Sequence, residues 1–279
     1  MDTIYLTDLD GTLLDKRASI TSENVKRLNY MLSQGLPLSF ATARSFISAQ
    51  RVVGGINFSL PIAAYNGAFI VDPKTEKAIR ISQLDRERIA PLLKIIEQAK
   101  IPTLVFAFVD GIERLSWIDS MANAGIRNFL SDRKGDKRLR PVSDFAQLLQ
   151  GDIFMFTMIG SRAEMMELRP RLGTDGYFNC HLQRDIYYPD DWYLEISRHD
   201  ATKAEAARAI KEMVGARRMV CFGDNLNDLP MFLVSDACYA VANAHPDVLA
   251  FATGVIPSNE EGGVVQWLTA HGEYKTIMA

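Results

Sequence analysis

Cysteine is scarce. The three in 279 residues, Cys180, Cys221 and Cys238, are odd in number and widely spaced, which leaves neither a disulfide framework nor the paired spacing of a zinc site. Histidine is scarcer relative to its uses: His181, His199, His245 and His271 share no ligand spacing. No run of 18 apolar residues occurs, and the first residues lack a basic segment followed by a long apolar one, so neither a membrane span nor a secretory leader is expected. An excess of positive charge is missing as well. With a formal charge of -3 and a pI near 5.9, no global field recruits nucleic acid or anionic lipid. The expectation is a soluble cytoplasmic protein with reduced thiols, and neither an internal repeat nor a low-complexity segment complicates it.

Carboxylates are present, and in two telling places. Asp8-Leu9-Asp10-Gly11-Thr12 follows the apolar run Ile4-Tyr5-Leu6. Side chains alternate along a strand, so Asp8 and Asp10 share a side if the extended conformation continues, and glycine then lets the backbone turn away. Far along the chain, Gly223-Asp224-Asn225-Leu226-Asn227-Asp228 follows a second apolar run, Met219 to Phe222. Ligands of open α/β sheets sit outside the carboxyl ends of the strands, where both clusters fall. The second loop lacks EF-hand spacing and follows a strand, not a helix. Carboxylates converging at one edge repel one another, and a hard divalent cation is the natural partner that keeps them ionised together.

Two further segments fit that edge. Strand-like Leu36 to Ala41 ends on Thr42-Ala43-Arg44, which supplies a small hydroxyl donor. Thr202-Lys203-Ala204-Glu205 fits a capping box, with Glu205 reaching back to the cap. Lys203 then occupies the first turn of an Ala-rich helix, against the helix dipole, which implies an anionic partner.

Length and a hydrophobic fraction of 48% favour two domains with a substantial core each. Short apolar strands at Thr3 to Thr7, Leu38 to Ala41, Pro61 to Ala64, Met219 to Phe222 and Cys238 to Val241 alternate with amphipathic helices near Ser22 to Ser33, Ala201 to Val214 and Val264 to Ala270. That alternation predicts an α/β fold with a doubly wound parallel sheet. From about Leu84 to Pro189 the pattern changes to mixed helices and hairpins, an α+β lobe with an antiparallel component. The expected division is 1–83 for the first part of the core, 84–189 for the inserted lobe and 190–279 for the second part of the core. The basic run Arg133 to Arg140 could steer anions, but such a run is more often a solvated loop.

In order and approximate spacing, the Asp8 to Thr12 segment, Thr42, Lys203 and Gly223 to Asp228 resemble the four motifs of the haloacid dehalogenase-like phosphohydrolases. The likeness narrows to the Cof-type subfamily with a C2B cap between the second and third motifs. Tyr65-Asn66-Gly67-Ala68, Trp192 to Ile196, Ala242-Asn243-Ala244 and Glu261 to Val264 add to it. The likeness is strong at both ends of the chain and only topological in the middle. Ala43, Ala204 and Leu249 depart from the subfamily pattern.

The resemblance implies a Rossmann-like core with an inserted α+β cap and an Mg2+-dependent phosphatase acting on small phosphorylated metabolites, with sugar phosphates foremost. Asp8 would be the nucleophile that forms an aspartyl-phosphate, and Asp10 the general acid and base. Mg2+ would be held by Asp8, the Asp10 backbone carbonyl and Asp224, with Asp228 behind them. Thr42, Lys203 and Asn227 would bind phosphate oxygens. Substrate contacts from the cap would come from Asp110, Glu113, Arg114, Arg184 and Tyr187. A phosphomutase of the same superfamily and a non-catalytic binding or regulatory protein on the same scaffold are the alternatives; oligomeric state is open.

Overall fold

The computed structural model describes residues 1–172, 176–185 and 188–274. It divides into two units: Met1–Ile81 together with Ala201–Ala279, and Ser82–Asp200 inserted between them. The return crossing departs from the 189/190 boundary expected from sequence. Trp192–Arg198 pairs antiparallel with Phe178–Arg184 and with Asp152–Gly160, so it belongs to the insertion, and the chain re-enters the first unit at Ala201. An alternating strand fits any half-buried sheet, and its partners, the preceding strand Phe178–Arg184 and the more distant Asp152–Gly160, decide which one it joins.

In the first unit a parallel sheet runs in the order Gly254–Ile256, Ala237–Val241, Arg218–Gly223, Thr3–Thr7, Leu38–Phe40. Thr3–Thr7 is buried along its whole length, as a parallel strand covered on both faces requires. From it the chain winds outward to Leu38–Phe40 on one side, while the returning segment builds the other three strands on the opposite side. Thr3–Thr7 and Arg218–Gly223 therefore flank the switch point, where the crevice of a doubly wound sheet opens. Helix Ser22–Ser33 has the bounds expected from sequence because Thr21 caps it, its side chain accepting from the Asn24 amide.

Ile62–Ala64 does not extend this sheet as a full strand. It joins an antiparallel ribbon with Phe69–Val71 and Ala78–Ile81 and meets the parallel sheet at the isolated bridge Ala41–Ala63. Tyr65, Asn66 and Gly67 take φ of 50°, 53° and 98°, which reverses the chain at once. A Cβ at Gly67 would collide with the Thr202 carbonyl, so glycine lets this turn lie directly against the start of the helix Lys203–Met213.

The inserted unit is built on a six-stranded sheet, in the order Phe178–Arg184, Trp192–Arg198, Asp152–Gly160, Leu104–Val109, Ile112–Ile118, Leu139–Val142. All neighbours are antiparallel except the last pair. Ile89, Leu92 and Ile96 of helix Arg86–Gln98 pack with Phe156, Met158, Leu194 and Ile196 of one sheet face. The basic run is not a solvated loop. Arg138 is buried and pairs with Asp136 and Glu113, each at 2.6 Å, and Leu139–Val142 completes the sheet.

Glu195, in Trp192–Arg198, has its pKa raised from 4.5 to about 7 by burial. Between those values the folded chain keeps a proton that the unfolded chain has released, so this part of the stability is complete below about pH 4.5 and is lost as pH rises through about 7. Glu195→Gln should be more stable than the parent at pH 8, on the order of 2 kcal/mol, and equal to it at pH 4. Thermal midpoints of both proteins across that range check the expectation, which an equal difference at both ends would contradict.

Candidate active site

Asp8, Thr42 and Asp224 follow the ends of three neighbouring parallel strands, so all three arrive at one edge of the sheet. The Asp8 amide continues the ladder by one bond, to the Phe222 carbonyl at 2.9 Å. Gly11, at φ 78°, then turns the chain where a Cβ would collide with the Asp224 carboxylate. The Asn243 side chain holds that turn by donating to the Gly11 carbonyl at 2.8 Å.

Lys203 enters from the first turn of its helix. Thr202 caps it, accepting from the Glu205 amide at 3.2 Å, but the Glu205 carboxylate pairs with Arg208 at 3.2 Å and does not reach back, so half of the expected capping box forms. The Lys203 side chain is 1% exposed, and its Nζ donates to Asp8 Oδ1 at 2.7 Å and Asp228 Oδ1 at 2.6 Å. These are the anions that its unfavourable place on the helix implied. Asp228 Oδ2 accepts from the Asp224 and Asn225 amides at 2.9 and 3.0 Å, so this fully buried carboxylate fixes both the lysine and the loop that bears Asp224.

Burial raises the Asp8 pKa well above the usual carboxylate range; Lys203 pulls it back, and Asp228 and Asp224 push it further up. Asp224 is raised to about 6, chiefly by burial, against a hydrogen bond from Thr12 Oγ1 at 2.7 Å. Burial also opposes the Lys203 ammonium, but Asp228 and Asp8 outweigh it and raise its pKa. One ammonium thus faces three carboxylates. Oxygens of Asp8, Asp224 and Asp228 lie within 4.8 Å of one another, a group of hard donors.

Asp10 stands apart from that group. Its half-exposed carboxylate accepts two hydrogen bonds from Arg44, each at 2.6 Å. Thr42 is fully buried and its Oγ1 accepts from the Arg44 amide at 3.1 Å. Asn227 donates to Asn66 Oδ1 at 3.2 Å, and the Asn66 amide donates to the Thr42 carbonyl at 2.9 Å. Sequence reasoning assigned no role to Arg44, Thr12, Asn66 or Asn243. Arg44, two residues beyond Thr42 at the same strand end, carried a readable signal; the two asparagines carried none, since an isolated Asn marks any turn.

The expected cap contacts fare differently. Glu113 is taken up by Arg138, Arg114 donates to the Lys137 carbonyl at 2.8 Å and Arg184 to the Pro189 carbonyl at 2.7 Å. Asp110 occupies a hairpin turn at φ 53°, and Tyr187 lies outside the described residues.

A family model for haloacid dehalogenase-like hydrolases matches residues 5–268. The chain belongs to this family. It is 23% identical over 265 residues to the Bacillus subtilis 5-amino-6-(5-phospho-D-ribitylamino)uracil phosphatase, covering 94% of both chains. Among solved structures it superposes on TM0651 from Thermotoga maritima with a TM-score of 0.78 at 25% identity over 97% of each chain. The subclass IIB sugar phosphatase BT4131 shares the fold, with a TM-score of 0.71 at 22% identity over 97% of this chain and 98% of that one. The hydrolase is an enzyme of the phosphatase class. None of its described helices is long and apolar enough to cross a membrane.

Lys203→Met leaves Asp8 and Asp228 buried without their cation. Removing one partner of a buried ion pair typically costs about 3–5 kcal/mol. The variant should lose a comparable amount of stability near pH 8 and recover part of it near pH 5, as the orphaned carboxylates take up protons. Urea melts at the two pH values read this directly; a loss independent of pH would mean that packing, not charge, is what the lysine provides.

Proposed function

We propose that this hydrolase is an Mg2+-dependent phosphatase of small phosphorylated metabolites, sugar phosphates foremost, working in the cytoplasm through an aspartyl-phosphate on Asp8. One observation carries the reading: Asp8 Oδ1 is hydrogen-bonded to a buried lysine, while Oδ2 has no hydrogen bond among the described residues. One oxygen is held and the other is left for attack. The buried Cys221 and Cys238 thiols and the half-buried Cys180 suit a reducing compartment, and the relative named for a phosphoribityl substrate supports an ester on a polyhydroxylated carbon chain.

The donor set fits Mg2+. It is all oxygen, and Asp224 commits Oδ1 to Thr12 while its second oxygen lies where a side chain at Gly11 would otherwise stand. Asp8, Asp224 and the Asp10 carbonyl would hold the ion, with Asp228, both of whose oxygens are already engaged, supporting them from behind. Bound there, the cation would neutralise charge on the phosphoryl oxygens.

The chain's own residues carry the rest. The free oxygen of Asp8 attacks phosphorus, and the bond to the leaving oxygen breaks as Asp10 gives that oxygen a proton. Asp10 then takes a proton from water, the water oxygen bonds to phosphorus, and the bond to Asp8 breaks, releasing inorganic phosphate. In either role Asp10 must first free one oxygen from Arg44, and to act as the acid that freed oxygen must first take up a proton from solvent. Thr42, Lys203 and Asn227 orient the phosphoryl oxygens, and stabilisation in phosphoryl transfer is mainly such positioning and charge.

Asp8→Asn keeps the shape of the side chain and removes the nucleophile, so turnover of p-nitrophenyl phosphate should fall by about three orders of magnitude or more with the fold intact. Asp10→Asn should still form phosphoenzyme from an aryl ester and then stall at its hydrolysis. Rapid-quench trapping of acid-stable, hydroxylamine-sensitive phosphate on the protein separates the two variants; Asp8→Asn at a tenth of parental activity would remove it from this role. With metal-stripped protein, Ca2+ should bind in competition with Mg2+ and support little turnover, since its larger coordination shell accepts both oxygens of a carboxylate. Equal rates with the two ions would contradict the shared use of Asp8.

A further inference from the structure

The turn Tyr65-Asn66-Gly67 is a strained piece of backbone. All three residues take positive φ, 50°, 53° and 98° in order. Glycine reaches such angles freely and asparagine with little strain, but a tyrosine there is a true outlier. Strain of this kind persists only where the surroundings over-determine it, and it gathers at functional sites.

The surroundings of this turn are the segments that carry the phosphoryl-binding candidates. The Tyr65 amide donates to the Arg44 carbonyl and the Asn66 amide to the Thr42 carbonyl, each at 2.9 Å, so the two residues dock on either side of Ala43. Gly67 lies against the Thr202 carbonyl, where a Cβ would stand 2.3 Å away, and Thr202 caps the helix that brings in Lys203. The Asn66 side-chain oxygen accepts from Asn227 Nδ2 at 3.2 Å. One turn therefore touches the segments of Thr42, Lys203 and Asn227, all within the same unit of the chain. Its bonds to Thr42 and Arg44 are made by backbone and survive any side chain that tolerates the conformation. The bond to Asn227 is made by the Asn66 side chain alone, across 161 positions of sequence.

A carboxamide has one donating and one accepting end of similar shape, and an anion accepts only from the first. Asn227 sits half-buried in the short turn Leu226–Asp228, and among the described residues its carboxamide has no partner besides Asn66. By accepting one Nδ2 hydrogen, Asn66 fixes the orientation of that amide and leaves the second hydrogen of the same nitrogen to donate. Without Asn66, rotation about the last side-chain bond would present the Asn227 oxygen as readily as its nitrogen, and oxygen facing a phosphoryl oxygen is repelled. Asparagine at 66 meets both demands: it is one of the few non-glycine residues at ease at positive φ, and it carries an acceptor. Glycine would satisfy the backbone and not the amide.

We infer that Asn66 is a positioning residue for phosphoryl binding: held in a strained turn against Thr42 and Thr202, its side chain orients the Asn227 carboxamide so that nitrogen, not oxygen, meets the anion. The inference rests on the proposed phosphatase reading, in which Asn227 binds a phosphoryl oxygen.

Asn66→Gly separates the side chain from the backbone. Glycine is free at φ 53°, so the thermal midpoint should stay within about 2 °C of the parent's. With saturating Mg2+, kcat/KM for p-nitrophenyl phosphate should fall about tenfold, the worth of one hydrogen bond to a charged group. The inhibition constant of inorganic phosphate should rise by a similar factor. Asn227→Ala should lose as much, and the double variant no more than either alone, because Asn66 acts through Asn227. Activity lost with stability kept is a result that a merely structural asparagine would not give. Parental kinetics in Asn66→Gly, losses that multiply in the double variant, or a thermal midpoint that falls along with activity would each overturn the inference and leave the phosphatase reading standing. Parental kinetics in Asn227→Ala would overturn it together with the role of Asn227. A parent that does not hydrolyse p-nitrophenyl phosphate overturns the phosphatase reading and the inference with it.

Discussion

One buried ammonium organises the carboxylate edge of the parallel sheet. Lys203 Nζ sits within 2.7 Å of both Asp8 and Asp228, in a place where none of the three charges is stable alone. Each is worth keeping only because the others are there: an unpaired buried charge costs several kcal/mol, and a paired one breaks even at best. The arrangement couples three distant parts of the chain. Asp8 brings the central strand, Lys203 the start of a helix, and Asp228 the loop whose amides it binds, so the geometry of any one follows from the other two. Three carboxyl groups crowd one ammonium at this edge, and burial and mutual repulsion raise the pKa values of Asp8 and Asp224.

Asp10 is under a different constraint. Its carboxylate is outside the buried group and half exposed, held by Arg44 through two exchangeable hydrogen bonds. The two aspartates, one residue apart, are thus bound differently: Asp8 is buried against Lys203, and Asp10 is half exposed against Arg44. Burial fixes the first; an ion pair in partial contact with solvent lets the second exchange partners at little cost. Gly11 makes the separation workable, because the backbone turns away between the two environments without a side chain to obstruct Asp224.

The inserted unit shows the opposite economy. Its apolar face is packed with interlocking side chains, and its polar charges are mostly spent on its own architecture: Arg138 ties Asp136 to Glu113, Arg114 and Arg184 bind nearby carbonyls. Residue types that look like ligands in a sequence are here structural. Glu195, without a hydrogen bond among the described residues, is instead kept protonated up to about pH 7 by burial.

The sequence by itself determined the parallel sheet, its helices and the carboxylate edge. These rest on local rules, in which period, capping and the strand-to-turn transition are written in contiguous residues. Asp8, Thr42 and Asp224 were legible because parallel strands deliver their carboxyl ends to one edge whatever the detail. The partners of Trp192–Arg198 and of Ile62–Ala64 were decided by tertiary structure, since an alternating strand fits more than one sheet and the choice depends on a neighbour such as Asp152–Gly160, more than 30 residues away, or on a turn with left-handed residues. So was the role of Asp228: a carboxylate near a metal site and a carboxylate paired with a lysine have the same sequence signature, and only the approach of a helix from 25 residues upstream distinguishes them. Arg44 on Asp10 and Asn66 on Asn227 belong to the same class, because contacts between side chains of distant segments depend on how those segments meet, which no single segment contains.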